Sequence, residues 1–362
     1  MKVCSCCNRI FATEKDYLHR TTRWRMSEVG DLYFNCSCDS TIVLPKGKHP
    51  WYRPEKFMSQ QAATVFNRFA GQTRLPLLSQ VALEAQRLIS DEKSAVQDIV
   101  DALKMDGVLS LWILEIADMS RPKSSAPIKS LSQAINILGR NRLQELITIS
   151  SAARFRMKTK SYNRTEYLMS SMMTALVAQE LASIHGNSEL QDLAFVSGSL
   201  CNVGKMLGAI CFPEEVDAVY KLTQNLDPSY NWRDAEEKVG AVSHVALGEI
   251  AGALWGVSPE VLQCITLHHT VIEEQNPARF YVGKTTEFTL HEIVTFANEI
   301  SKHVLQNSHL SERAVLVSCL TRFGLREADF VRMIDSFADQ LMPKIKKTMQ
   351  VLGETEAVSS AS

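Results

Sequence analysis

The chain has 362 residues, a formal net charge of −1, 45% hydrophobic and 22% charged residues. That balance fits a folded protein long enough for one large domain and one small one. It gives no global reason to expect nucleic acid or an anionic membrane as partner. No uncharged apolar run reaches the ~18 residues of a membrane span, and MKVCSCCNRIF at the start lacks the apolar core of a signal peptide, so the expectation is a cytoplasmic protein with no membrane partner.

Residues 1–55 differ in texture from the rest. They carry a basic surplus, the short alternating pieces DLYFN and STIVL, and five of the nine cysteines. Cys4-Ser-Cys6-Cys7 and Cys36-Ser-Cys38 supply two thiol pairs separated by 28 residues. Tetrahedral zinc takes four thiolates or imidazoles, commonly from two tight turns brought together by a hairpin. Cys4-x-x-Cys7 has the usual knuckle spacing and Cys36-x-Cys38 is tighter. The expectation is a small β module like a zinc ribbon, with structural Zn2+ on Cys4, Cys7, Cys36 and Cys38. Cys6 is the spare thiol, and His19 or His49 is a substitute ligand. The other reading is free thiols in a disordered arm, but a segment this short buries too little apolar surface to fold without a metal. The closed ligand set points to a structural or adaptor role.

Pro45, Gly47, Pro50 and Pro54 punctuate the exit, placing a boundary near residue 55. From about 58 to 350 the pattern is helical almost throughout. QAATVFNRFA, VALEAQRLIS, QDIVDALKM, LSLWILEIADM, LSQAINILG, LQELITISSAARF and SSMMTALVAQELASIH carry apolar residues at i, i+3, i+4 and i+7. Ser94 to Gln97 and Ser130 to Gln133 read as capping boxes, and Ser258-Pro259 as an N-cap followed by proline at the first helical position. Gly139 and Gly186 stand where helices should end. The fold expected is mainly α, a domain of a dozen or so helices after the β module. The tail 351–362, which ends in GETEAVSSAS, should be frayed.

The run from RLPLLSQVALEAQRLISDEKSAVQDIVDALKMDGVLSLWILEIADM through IKSLSQAINILGRNRLQEL resembles the front half of an HDOD domain, the HD-related output domain of bacterial signalling proteins. SSMMTALVAQELA, AFVSGSLCNVGKMLG and VSHVALGEIAGALWGVSPEVLQCITLHHT resemble its later pieces, in the same order. The resemblance covers roughly 70–300. It implies an all-helical HD-type domain, a signalling role, and a relation to HD phosphohydrolases. Those enzymes bind divalent metal with His, then His-Asp, then a distant Asp, to activate a water. Carried over position by position, these ligands fall near Ser170, on Cys201 and Asn202, and on Asn298. All four are replaced, and both carboxylates that would balance a divalent cation are gone. The implied catalytic set is therefore none.

His244, His268 and His269 survive. They read either as remnants of a phosphate or second-metal site or as helix-end histidines satisfied by backbone carbonyls. Lys205 could attract an anion, which keeps nucleotide binding open. Trp112, Trp232 and Trp255 read as core. The loop from Arg154 to Arg164 has five cations and no acid, with Phe155 and Tyr162 interleaved, and reads as solvated surface or as a docking face for an acidic partner or nucleic acid. The function expected is a non-enzymatic regulatory scaffold acting on a protein partner in a signalling pathway. The rivals are a phosphodiesterase with altered ligands and a zinc-ribbon regulator that binds nucleic acid.

Overall fold

Strand and helix are segregated along the chain, as the change of texture near residue 55 leads one to expect. The computed structural model describes residues 2–4, 6–12, 17, 21–26, 32–36, 41–44, 58–69, 78–91, 93–120, 128, 130–183, 188–225, 232–269, 289–306 and 326–351. Cys38, His19, His49, Gly186 and the 352–362 part of the tail lie outside them, and so do the readings placed there.

Strands β1 (Lys2–Val3) and β2 (Ile10–Phe11) pair antiparallel, Lys2 opposite Phe11. β3 (Thr21–Met26), β4 (Leu32–Cys36) and β5 (Thr41–Leu44) form an antiparallel meander in that order, with a register shift between Thr22 and Trp24. Phe34, Ile42 and Leu44 are buried on the meander. Tyr17 ties the two sheets, its ring edge-on to Phe11 at 5.2 Å and to Phe34 at 4.7 Å.

Fourteen helices follow among the described residues. They are α1 (Gln60–Phe69), α2 (Gln80–Ser90), α3 (Val96–Lys104), α4 (Gly107–Ser120), α5 (Leu131–Ala152), α6 (Arg164–Ser183), α7 (Ser188–Leu200), α8 (Val203–Cys211), α9 (Pro213–Asn225), α10 (Trp232–Val239), α11 (His244–Trp255), α12 (Pro259–Leu267), α13 (Leu290–Gln306) and α14 (Glu327–Val351). Local chemistry sets several of their ends. Ser130 Oγ accepts from the Gln133 N–H, and Ser258 Oγ from the Val261 N–H with Pro259 next in line. Ser94, expected as the cap of α3, is one residue off. The cap position is Ala95, whose N–H donates to the Asp98 carboxylate at 3.0 Å, while Ser94 Oγ turns back to Asp91. Gly139 breaks α5 into two segments with a φ of 72°, a backbone that favours glycine.

α6 is the central rod. Its buried positions run round the whole helix, and it packs against α7, α13 and α14. A helix apolar all round must be enclosed, and each large side chain it buries, such as Leu168 or Met173, contributes roughly 1.5–3 kcal/mol. Leu190–Cys211 is apolar and long enough by composition to cross a membrane, which the search for uncharged runs did not anticipate. It is broken between α7 and α8 at Cys201–Asn202, and 94% of its most apolar window is buried in the helical body. The three tryptophans expected in the core are there: Trp112, Trp232 and Trp255 are all buried. β3 lies against α11, and Ser59 at the head of α1 donates its hydroxyl to Glu249 of α11 at 2.6 Å.

Candidate functional site

The break between α7 and α8 presents Cys201 and Asn202 to α13. Asn202 takes the N-cap position of α8 but makes no cap bond with its side chain. Its Nδ2 instead donates to Asn298 Oδ1 at 2.7 Å, and lies 3.4 Å from the Cys201 sulfur. Both asparagines are buried, with Asn202 Oδ1 and Asn298 Nδ2 left without a partner. Ser170 reaches the same helix through its backbone, its carbonyl accepting from Ser301, one turn beyond Asn298. The Cys201 thiol donates to the Gly198 carbonyl, and burial pushes it up to about 12, so it stays protonated. Three of the four positions thus meet, and what they form is a neutral amide clasp. It offers neither a carboxylate nor a thiolate, so the residues do not fit a catalytic divalent ion.

One turn along α8, Lys205 is buried with its ammonium 4.6 Å from the centre of the Trp232 ring. Burial, helped by the nearby Lys302, pushes it down to about 7. α8 crosses α11 at contact distance. A side chain at Gly204 would overlap the His244 carbonyl oxygen, so only glycine permits the approach.

That crossing places His244 at the head of α11, where it meets Glu236 of α10. The Glu236 carboxylate accepts the His244 backbone N–H at 2.8 Å, the indole N–H of Trp232 at 3.0 Å and His244 Nδ1 at 2.9 Å. Burial raises Glu236 to about 7 against these donors and Lys205. His268 and His269 follow the end of α12. His268 Nδ1 donates to the Ile265 carbonyl at 2.9 Å, the helix-end arrangement expected for it. His244 and His269 depart from that expectation. The Nε2 of His244 lies 3.3 Å from His268 Nε2 and 2.8 Å from His269 Nε2, so the three rings face one point. Burial holds all three imidazoles well below their ordinary range, with Lys205 adding at His244, His244 at His268 and His268 at His269. They are neutral, the form that ligates metal. Glu236 was not foreseen. A glutamate eight residues before a histidine carries no signal until α10 and α11 are folded together.

In the β module, Cys4, Cys7 and Cys36 bring their sulfurs within 4.8 Å of one another, with Cys7 and Cys36 3.7 Å apart. A tetrahedral zinc with bonds of about 2.3 Å separates its sulfurs by about 3.8 Å, so the spacing fits a thiolate site. The Cys4 carbonyl accepts from Asn8, whose φ of 55° closes the knuckle. Cys6 is exposed. The basic loop is pinned: the Lys160, Ser161 and Tyr162 N–H groups all donate to Asp217, and Arg154 pairs with Asp106 at 2.6 Å. Phe155 packs on Trp255 and Tyr162 on Trp232, so these rings serve the core and not a base-stacking face.

The HDOD domain family matches residues 75–271. The chain is 24% identical over 202 residues to an uncharacterized protein of Treponema pallidum, an alignment that covers 54% of this chain and 38% of that protein. Among solved structures, a candidate phosphohydrolase from Shewanella amazonensis is 18% identical with a TM-score of 0.55, covering 82% of this chain and 98% of its own. A candidate signal transduction protein from Marinobacter aquaeolei is 18% identical with a TM-score of 0.53, covering 86% and 69%. At these identities the two structures speak to fold.

Proposed function

The chain belongs to the HDOD family, and from that premise we propose that it is a non-enzymatic cytoplasmic regulatory scaffold, a helical HD-type domain that acts by binding a protein partner. The observation that carries the proposal is the Asn202–Asn298 clasp, with buried neutral amides and a protonated thiol where a phosphohydrolase needs anionic ligands. Hydrolysis of a phosphodiester needs a metal-bound hydroxide and compensation of charge on the phosphoryl oxygens. Ser170, Cys201, Asn202 and Asn298 supply neither. The Marinobacter neighbour, named for signal transduction, agrees with a signalling role. The thiol cluster supports a structural zinc on Cys4, Cys7 and Cys36, with Cys38 as the fourth ligand suggested by its spacing.

A second reading draws on the three histidines and on the Shewanella neighbour: a phosphodiesterase whose metal sits away from the HD positions. A hydrolysis assay on cyclic dinucleotides, with Mg2+, Mn2+ or Fe2+ added, separates the two. The scaffold reading expects no turnover by the parent. Turnover lost in the Cys201→Ala/Asn202→Ala double variant would mean that the substituted residues still do chemistry. Turnover lost in His269→Gln would establish the second reading.

A further inference from the structure

The start of α4 and the loop after α5 form one surface that no role above uses. We infer that this face docks an acidic amphipathic helix of a partner protein. Met105, Val108 and Leu111 meet its apolar stripe, and Arg156, Lys158 and Lys160 meet its carboxylates. The inference rests on the reading of the chain as a partner-binding protein and names where that binding occurs.

The apolar half follows from helix geometry. Val108 and Leu111 stand three residues apart on one face of α4, and Met105, which closes α3, stands just before its first turn. Met105 is 78% exposed and Leu111 58%. On the other side of α4, Leu109, Trp112 and Ile113 are buried in the core. A helix apolar on all sides is ordinarily enclosed, yet here the outer row faces solvent. Single exposed apolar residues are common on protein surfaces, whereas a contiguous row marks a place of contact.

The charged half is held rigid. Along the loop exposure alternates, with Arg156, Lys158 and Lys160 exposed and the residues between them turned in. Phe155 packs on Trp255, Met157 on the core, and the Thr159 hydroxyl donates to the Tyr162 carbonyl. The Lys158 N–H donates to the Ala209 carbonyl at 2.9 Å and the Lys160 N–H to the Asp217 carboxylate at 2.7 Å. Alternate residues of an extended chain stand at most about 7 Å apart. Residues one turn apart on a helix are separated by about 5–6 Å, so a row of glutamates can follow these cations. A loop fixed in advance loses little freedom on binding.

The neighbouring acids are already engaged. Asp106 pairs with Arg154 at 2.6 Å, which ties the head of the loop to the end of the apolar row. Asp101 pairs with Lys104 at 3.0 Å, and Asp217 accepts the loop N–H groups. The side chains of Arg156, Lys158 and Lys160 make no ion pair among the described residues. The face is therefore positive beside an aliphatic row, the complement of an acidic amphipathic helix. A single-stranded nucleic acid asks for exposed rings to stack on, and Phe155 and Tyr162 face inward.

Fluorescence anisotropy of the full-length chain with a labelled synthetic helix tests the face. The probe carries Leu along one side and Glu along its flank. The comparisons are a scrambled peptide of the same composition, a version with Lys for Glu, and a labelled single-stranded oligonucleotide. The acidic probe should bind about tenfold or more tightly than the scrambled one. Arg156→Glu/Lys158→Glu/Lys160→Glu should weaken it about tenfold or more, and that loss should shrink as salt rises. Met105→Ser/Leu111→Ser should weaken it to a similar degree at every salt concentration. All of these positions are exposed, so helical circular dichroism should not change. The Lys-for-Glu peptide should bind the charge-reversed variant better than the parent, a swap that damage to the fold does not produce. Equal affinity of the acidic probe for the parent and both variants would overturn the inference, and so would a parent that does not bind it. Oligonucleotide binding that is tighter than the peptide's and lost on charge reversal would overturn it in favour of nucleic acid. Turnover in the hydrolysis assay is a separate outcome, which would refute the non-enzymatic reading without moving these affinities.

Discussion

Asn202 and Asn298 hold one another through one amide hydrogen bond and leave one buried polar atom each without a partner. A half-satisfied pair of this kind has a recognisable energetic signature. Removing one amide strands the other, which costs about 1–3 kcal/mol, while removing both leaves nothing stranded. Asn202→Ala and Asn298→Ala should each destabilise by about that much, and the double variant by clearly less than the sum, measured by urea unfolding. Additive costs would mean that the amide bond contributes nothing. Glu145 gives a second prediction at this scale. Its carboxylate accepts the N–H of Ser258 at the head of α12 at 3.1 Å, and burial raises it to about 7. The folded chain therefore keeps a proton that the unfolded chain releases near 4.5. The stabilisation is complete below about pH 4.5 and is lost as the pH climbs through about 7. Glu145→Gln should flatten that window, removing about 1–3 kcal/mol of pH dependence between pH 5 and 8. An unchanged pH profile would show that Glu145 titrates at its ordinary value.

Helix by helix, the crossing of α8 and α11 decides what the sites can be. Gly204 lets α8 lie against the His244 carbonyl, and Gly204→Ala forces the backbones apart. The expected loss is about 1–3 kcal/mol or more, with a lower thermal midpoint. A fully stable Gly204→Ala protein would contradict the close crossing. The same crossing explains what the sequence could and could not reveal. Ser130 and Ser258 were legible as caps because a cap is decided within four residues. Ser94 misled because Asp98 competed with Gln97 for the role, one residue along. Cys201, Asn202 and Asn298 were singled out only through the resemblance, and the clasp between the two asparagines was not legible, since they stand 96 positions apart. His244 and His268 read as separate helix-end residues for the same reason. Their convergence needs Gly204, Glu236 and three packed helices.

At the scale of the molecule, a β module and a helical body share one chain. Among its described residues the β module buries Cys4, Phe11, Tyr17, Phe34, Cys36, Ile42 and Leu44, and an ion on its thiols would add folding free energy on the order of 10–16 kcal/mol for a structural zinc. The helical body is packed around α6, with Ser59 tied to Glu249. Stripping metal from the full chain with a chelator should therefore unfold the module and leave most of the helical circular dichroism in place. Loss of most of that signal would show that the units fold as one. The central claim is that the HD positions no longer hold a metal. Mn2+ tests it most directly, because manganese prefers oxygen ligands and is bound poorly by imidazoles alone. In a titration of the full-length chain followed by the paramagnetic resonance of free Mn2+, the account predicts that the ion stays free at micromolar protein. Stoichiometric binding that disappears in the Asn202→Ala/Asn298→Ala double variant would contradict it.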